Sequence, residues 1–143
     1  MLPGLECLEG LATGVYAMQL SINDQAFTVN AAEGVRDTLA SVGPQPFREI
    51  WINADGGRAL CALLNGERGF LMYLRMEGDA GFTSRNPAFT GHDTPIEYRL
   101  RNGQEDKFPT SWALREDVII AALEYFVSHE DKAPFVTWHD DGA

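Results

Sequence analysis

The chain has 143 residues, with 11 Lys+Arg against 21 Asp+Glu and a formal charge of −10. Only Lys107 and Lys132 are lysines and the nine arginines are scattered, which disfavours a nucleic-acid partner, because phosphate binding needs clustered cations. No stretch approaches the ~18 uninterrupted apolar residues of a membrane span, and the length suits a single domain over 1–143.

A chain of this size buries about two-thirds of its unfolded surface and folds without staples. Cys7 and Cys61 are the only thiols, and Cys61 sits inside the apolar run Leu60–Leu64, as a reduced buried thiol would. The start, Met1-Leu2-Pro3-Gly4-Leu5-Glu6, has neither the basic opening nor the apolar core of a secretory signal. Together these features predict a cytoplasmic protein.

Residues 1–13 read as an irregular lead-in. Tyr16, Met18, Leu20 and Ile22 then alternate with Ala17, Gln19 and Ser21, the pattern of a half-buried strand. Asn23-Asp24 turns, and Phe27 and Val29 resume the alternation, so 15–29 is a hairpin. Asn30 is a suitable N-cap with Glu33 three residues on, predicting a helix with the stripe Ala31, Val35, Leu39 and Val42. Gly43 is placed as its left-handed C′ residue, before Pro44.

Ile50 and Ile52 face away from Glu49, Trp51 and Asn53 on the next strand. Trp51 therefore shares a polar face and is either exposed or lies under the helix. Asp55-Gly56-Gly57 turns into Ala59–Leu64, which is apolar on both faces and reads as a central strand. Asn65-Gly66 is a hairpin turn, followed by alternating Phe70, Met72, Leu74 and Met76. Residues 77–95 form a long polar connection around Phe82-Thr83-Ser84, of a length often associated with function.

Ile96, Tyr98 and Leu100 alternate before Asn102-Gly103, and the chain returns over Gln104–Phe108. A two-residue turn there would place Arg99 opposite Asp106. A second helix is expected after Pro109, capped by Thr110 or Ser111 and ending near His129. Its apolar side is Leu114, Val118, Ala121, Ala122, Tyr125 and Phe126, so broad that more than one side must be covered. Phe135–Trp138 is a last short strand and 139–143 a polar tail. The element order predicts an α+β fold: a mainly antiparallel sheet of about six to eight strands, with two main helices packed on one face.

Catalytic and metal-binding patterns are weak. His92-Asp93 and His139-Asp140-Asp141 could in principle serve as metal ligands or acid/base pairs, and both read as solvated loop or tail residues. The sequence contains no His-x-Glu or Cys-x-x-Cys pair, no Gly-x-Ser-x-Gly elbow and no phosphate loop. Cys61 has no neighbouring base or cation to activate it. We therefore expect no catalytic residue, no metal and no cofactor.

The chain nevertheless resembles a known group. The hairpin–helix–strands order, the Gly/Pro-rich stretch Gly78 to Pro95, Tyr98 and the Asn102-Gly103 turn carry part of the likeness. Pro109 leading into a helix that ends Glu124-Tyr125-Phe126 and the closing Pro134-Phe135-Val136-Thr137-Trp138 carry the rest. Over about residues 15–139 the sequence resembles the first-numbered immunity family of bacterial polymorphic toxin systems, often encoded beside deaminase toxins. The resemblance implies inhibition by binding, with a cognate toxin domain, a zinc-dependent deaminase, as partner. Such a toxin needs positive surface near its substrate, which an acidic protein can cover. On charge and loop position, the residues expected to bind the partner are Asp79, His92, Asp93, Glu105, Asp106, Asp140 and Asp141. A ligand-binding or scaffold domain, or a small hydrolase, are the rival readings.

Overall fold

A computed structural model describes residues 17–143. Cys7, the lead-in over 1–13 and Tyr16 lie outside the described residues. Two hairpins open the sheet: β1 (Met18–Ile22) with β2 (Gln25–Val29), then β3 (Phe47–Asn53) with β4 (Ala59–Asn65). Further along run β5 (Arg68–Leu74), β6 (Phe82–Arg85), the two-residue β9 (Leu114–Arg115) and β10 (Thr137–Asp140). These eight strands form one antiparallel sheet in the order β10-β6-β5-β4-β3-β1-β2, with β9 also on β5. With α1 (Glu33–Ser41) and α2 (Glu116–His129) packed on it, the fold is α+β.

β4 is central and buried along its length, as its unbroken apolar run requires. Its alternation divides the core in two. Leu60, Ala62 and Leu64 face the helices, among Leu20, Ile50, Ile52, Leu71, Val35 and Phe126. Cys61 and Leu63 face the other way, where Phe70, Ile96, Tyr98 and Ala113 close a second cluster. That cluster is roofed by a separate hairpin of β7 (Pro95–Arg99) and β8 (Glu105–Pro109). The hairpin thus does not continue the large sheet but covers the face opposite the helices. Phe70 is its anchor, with ring centroids 5.3 Å from Tyr98, 4.6 Å from Phe108 and 5.5 Å from Trp112. Trp51 is half-buried under this hairpin rather than under a helix, and its Nε1 donates to Glu49 Oε2 at 2.7 Å.

Several boundaries differ from the sequence reading. Asn30 does not cap α1: the helix begins at Glu33, its N-cap is Ala32, and no side chain caps it. The preceding turn supplies acceptors from the backbone, since Gly34 N donates to Ala31 O and Val35 N to Ala32 O, both at 3.0 Å. Val35 is the one fully buried α1 residue, with Leu39 and Val42 partly buried beside it. Gly43 has φ 78°, the left-handed position expected of it.

The second helix starts later than expected, at Glu116, with Arg115 as N-cap. Thr110–Trp112 make only a single 3₁₀ turn. Asp93 holds Ser111 by both its N–H, at 2.8 Å, and its hydroxyl, at 2.6 Å, while the Thr110 hydroxyl donates to Thr94 O. Leu114 and Arg115 are then drawn straight as they pair with Gly69 and Arg68. The buried side of α2 is Ile119, Ala122, Leu123 and Phe126, so the predicted stripe was rotated: Ile119 and Leu123 were missed, and Val118, Ala121 and Tyr125 are only partly buried. A helix apolar around most of its circumference does not declare its phase.

Arg99 stands opposite Glu105, not Asp106, and Tyr98 opposite Asp106. The connection has three residues: Gly103 N donates to Leu100 O and Leu100 N to Gln104 O, both at 2.8 Å, with Gly103 at φ 90°. The added residue shifts the register by one. The last strand also lies further on than expected, Thr137–Asp140 instead of Phe135–Trp138, because His139 and Asp140 pair with Thr83 and Phe82. Phe135 is left 54% exposed in the turn before it, and Met76, expected on a strand, is 57% exposed beyond the end of β5. Trp138 is half-buried on the helix side, its Nε1 donating to Ala133 O at 2.9 Å.

β5 changes partner along its length: Met72 and Tyr73 pair with β6, Arg68 and Gly69 with β9. The gap between the two ladders is closed by one side chain. Buried Ser84 accepts from Leu71 N and donates to Trp112 O, each at 3.0 Å. Ser84→Ala would orphan a buried N–H in the middle of the sheet. It should cost about 2–3 kcal/mol in urea unfolding; a loss below about 0.5 kcal/mol would show that the two ladders do not depend on this bridge.

Candidate functional site

The antiparallel register sorts the loops to the two ends of the sheet. One end carries the start of β1, the ends of β3 and β5, the start of β6 and the end of β10. The Asp55–Gly57 turn lies there, with Gly57 against the backbone of Met76 and Glu77. Asp141 N donates to Gly81 O at 2.9 Å, which ties the C-terminal residues to the β5–β6 connection. The C-terminus of α2 reaches the same end, where Arg58 Nη1 donates to Glu130 O at 3.3 Å. Asp55, Glu77, Asp79, Asp140 and Asp141 are therefore neighbours at one end of the molecule, facing Arg58 and Arg75, with Met76 exposed among them.

Of the seven residues expected to bind a partner, the structure brings together Asp79, Asp140 and Asp141 at this end. His92 and Asp93 lie in the β6–β7 loop beside Ser111, next to the far end of β6. Glu105 and Asp106 are on β8, in the hairpin on the opposite face from the helices. The seven thus fall in three places. Glu77 and Asp55, which the sequence reading left out, belong with the first group. Turn residues flanking different strands become neighbours only when the strands are in register.

The carboxylates are not equivalent. Arg75 grips Asp79 with Nε to Oδ2 and Nη2 to Oδ1, both 2.9 Å, and its backbone N–H adds a third bond at 2.9 Å. The Arg75 side-chain bonds first, then its backbone N–H, hold the Asp79 carboxyl far below the usual carboxylate range. Asp79 therefore builds the turn. Asp141 Oδ2 accepts from Thr83 Oγ1 at 2.8 Å and its Oδ1 lies 3.6 Å from His139 Nε2. Asp140 and Glu77 are exposed and free of ion pairs among the described residues.

Elsewhere, the Ser111 hydroxyl and then its N–H lower the Asp93 carboxyl. On the hairpin the neighbouring Glu105 raises the Glu97 carboxyl, while Glu97 and then Arg99 lower that of Glu105. Asp93 is thus a loop clamp on the start of the 3₁₀ turn. Burial, reinforced by Glu49, pushes the Cys61 thiol well up. As a thiol it is a packing group rather than a nucleophile. Among the described residues no cluster of three His, Cys, Asp or Glu could hold a metal ion, and no helix is long and apolar enough to cross a membrane.

Asp79 makes stability depend on acid. A carboxyl whose folded pKa is depressed contributes stability that is complete above its unfolded value, here near 3.8, and lost as pH falls through the folded value. Thermal stability should fall below about pH 4, and Asp79→Asn should lower Tm at pH 7 while flattening that acid limb. An unchanged acid limb in the variant would assign the loss to other carboxylates.

The fold places the protein among α+β proteins with a two-faced antiparallel sheet. No family model and no curated protein matches the sequence.

Proposed function

We propose that the protein is an immunity protein, which binds a cognate secreted bacterial toxin and inhibits it by covering its active site or substrate groove. The observation that carries this reading is the acidic end of the sheet. Three separate segments, the β3–β4 turn, the β5–β6 connection and the end of β10, bring carboxylates to one end of a chain whose charge is −10. Exposed Met76 supplies an apolar contact in their midst. A rim of charge around an apolar anchor steers and then holds a surface of opposite sign. A deaminase toxin acting on nucleic acid offers such a surface, since its substrate is a polyanion. Inhibition of this kind needs shape and charge only, so the protein does no chemistry and requires no cofactor.

The decisive experiment pairs the purified protein with the toxin domain encoded by the neighbouring upstream gene. Stoichiometric inhibition of that domain is expected. Failure to bind or inhibit it would overturn the reading. Within a complex, Glu77→Lys with Asp140→Lys should reduce the on-rate about tenfold at low salt, with the deficit shrinking near 0.5 M salt. Equal on-rates at both salt concentrations would place the toxin on another surface.

A further inference from the structure

The end of the sheet opposite the carboxylates carries a feature of the other sign. Arg68 on β5 and Arg115 on β9 stand directly opposite each other in register. Like charges facing across a ladder repel, and such pairs are destabilising unless a counter-charge sits between them. Arg115 is partly compensated by Asp117, at 2.6 Å. Arg68 has no carboxylate within ion-pair distance among the described residues, in a chain with 21 acids to offer.

The two arginines flank a cleft of about 260 Å³. Ala113 and Leu114 give it apolar surface, Phe89 an aromatic wall, and Asn86 an amide. Asn86 Oδ1 is occupied by Ala88 N at 3.1 Å, so its Nδ2 remains a donor for the cleft. The Thr110 hydroxyl, also in the lining, is taken by Thr94 O. The charged groups of the cleft are thus both cations and Asn86 adds a donor, while Thr110 Oγ1, its proton spent on Thr94 O, is left as a neutral acceptor.

We propose that this cleft binds a carboxylate borne on a small apolar or aromatic body. A planar guanidinium offers two parallel donors that match a carboxylate's two oxygens. Since Asp117 offsets one of the two cations, the uncompensated charge at the cleft is a single unit, matching one carboxylate rather than a phosphate dianion. The volume is below the usual range for drug-sized ligands, about 300–1,000 Å³, and suits a group the size of one amino-acid side chain. The carboxylate could come from a free small acid or from an acidic side chain presented by a protein. The proposal does not depend on the toxin-binding reading, since it uses the other end of the sheet.

The test is an amide NMR titration of the full chain with phenylacetate, with 2-phenylethanol as the uncharged control. Saturable shifts at Asn86, Phe89 and Ala113 are expected with the acid only. Arg68→Gln, a change at an exposed position, should weaken binding about tenfold, the worth of one charge-assisted hydrogen bond. Asp117→Asn, which frees Arg115, should strengthen it. A blocked peptide, N-acetyl-Phe-Glu-amide, separates the sources: tighter binding than phenylacetate assigns the cleft to a protein side chain, weaker binding to a free acid. Linear, scattered shifts with phenylacetate, or equal affinity of the wild type and Arg68→Gln, would overturn the proposal.

Discussion

Phe126→Ala should cost about 3–5 kcal/mol of unfolding free energy. Phe126 is fully buried in the helix-side cluster, where its ring meets Tyr73 edge-on at 6.2 Å. Truncating it removes the transfer free energy of an aromatic side chain and leaves a cavity that a sheet-backed site cannot collapse around. Phe126 also accepts the C-terminal cap of α2, since Glu130 N donates to its carbonyl at 2.7 Å, but that backbone bond survives the substitution. The loss should therefore appear in the urea midpoint with little change in slope. A shift worth less than about 1 kcal/mol would mean that α2 packs by a different face.

Gly81→Ala should be nearly as damaging, at about 2–5 kcal/mol, for a different reason. Gly81 has φ 80°, and a Cβ there would sit 2.7 Å from both Tyr73 O and Leu74 Cδ2. The left-handed conformation alone costs an L-residue about 1–2 kcal/mol, and the overlap with β5 backbone adds about 1–3 kcal/mol. Gly81 also anchors the acidic end, because its carbonyl accepts from Asp141 N. The variant should therefore weaken both stability and partner binding, whereas Asp140→Lys should leave stability almost unchanged. A fully stable Gly81→Ala protein would show that the β5–β6 connection can be rebuilt at no cost.

These two positions also show what can be read without a structure. Phe126 was on the expected apolar side of the second helix, because its neighbours at i−4 and i+1 are apolar whichever way the helix is turned. Ile119 and Leu123 were not chosen, because around a nearly all-apolar helix only the facing layer selects the buried arc. Ser84 and Gly81 carried no signal at all. Each matters for what approaches it from residues distant in sequence: Leu71 N and Trp112 O in one case, Tyr73 O in the other.

The candidate site divides in the same way. The excess of acid was visible in the composition, and Asp79, Asp140 and Asp141 were chosen from their turns. The grouping was expected to include Asp93 and Asp106. Asp93 instead clamps Ser111, and Asp106 stands on the hairpin that crosses the far face. The opposed arginines went unnoticed because β9 is two residues long, too short to show a period, and exists only through its pairing with β5.

Local chemistry by itself determined the α+β class, the central place of Ala59–Leu64, the left-handed Gly43 and the turn at Asn23-Asp24, and it placed the turn after β4 one residue early, since Asn65 pairs with Arg68 and Gly66-Glu67 make the turn. All of these follow from the alternation of neighbouring side chains or from the φ that a residue type tolerates. The tertiary structure decided where the hairpin of β7 and β8 goes, which arc of α2 is buried, where β10 begins, and which charges meet at each end of the sheet. Those outcomes depend on register between strands far apart in sequence, and a one-residue change in a connection exchanges every face of the strand that follows it.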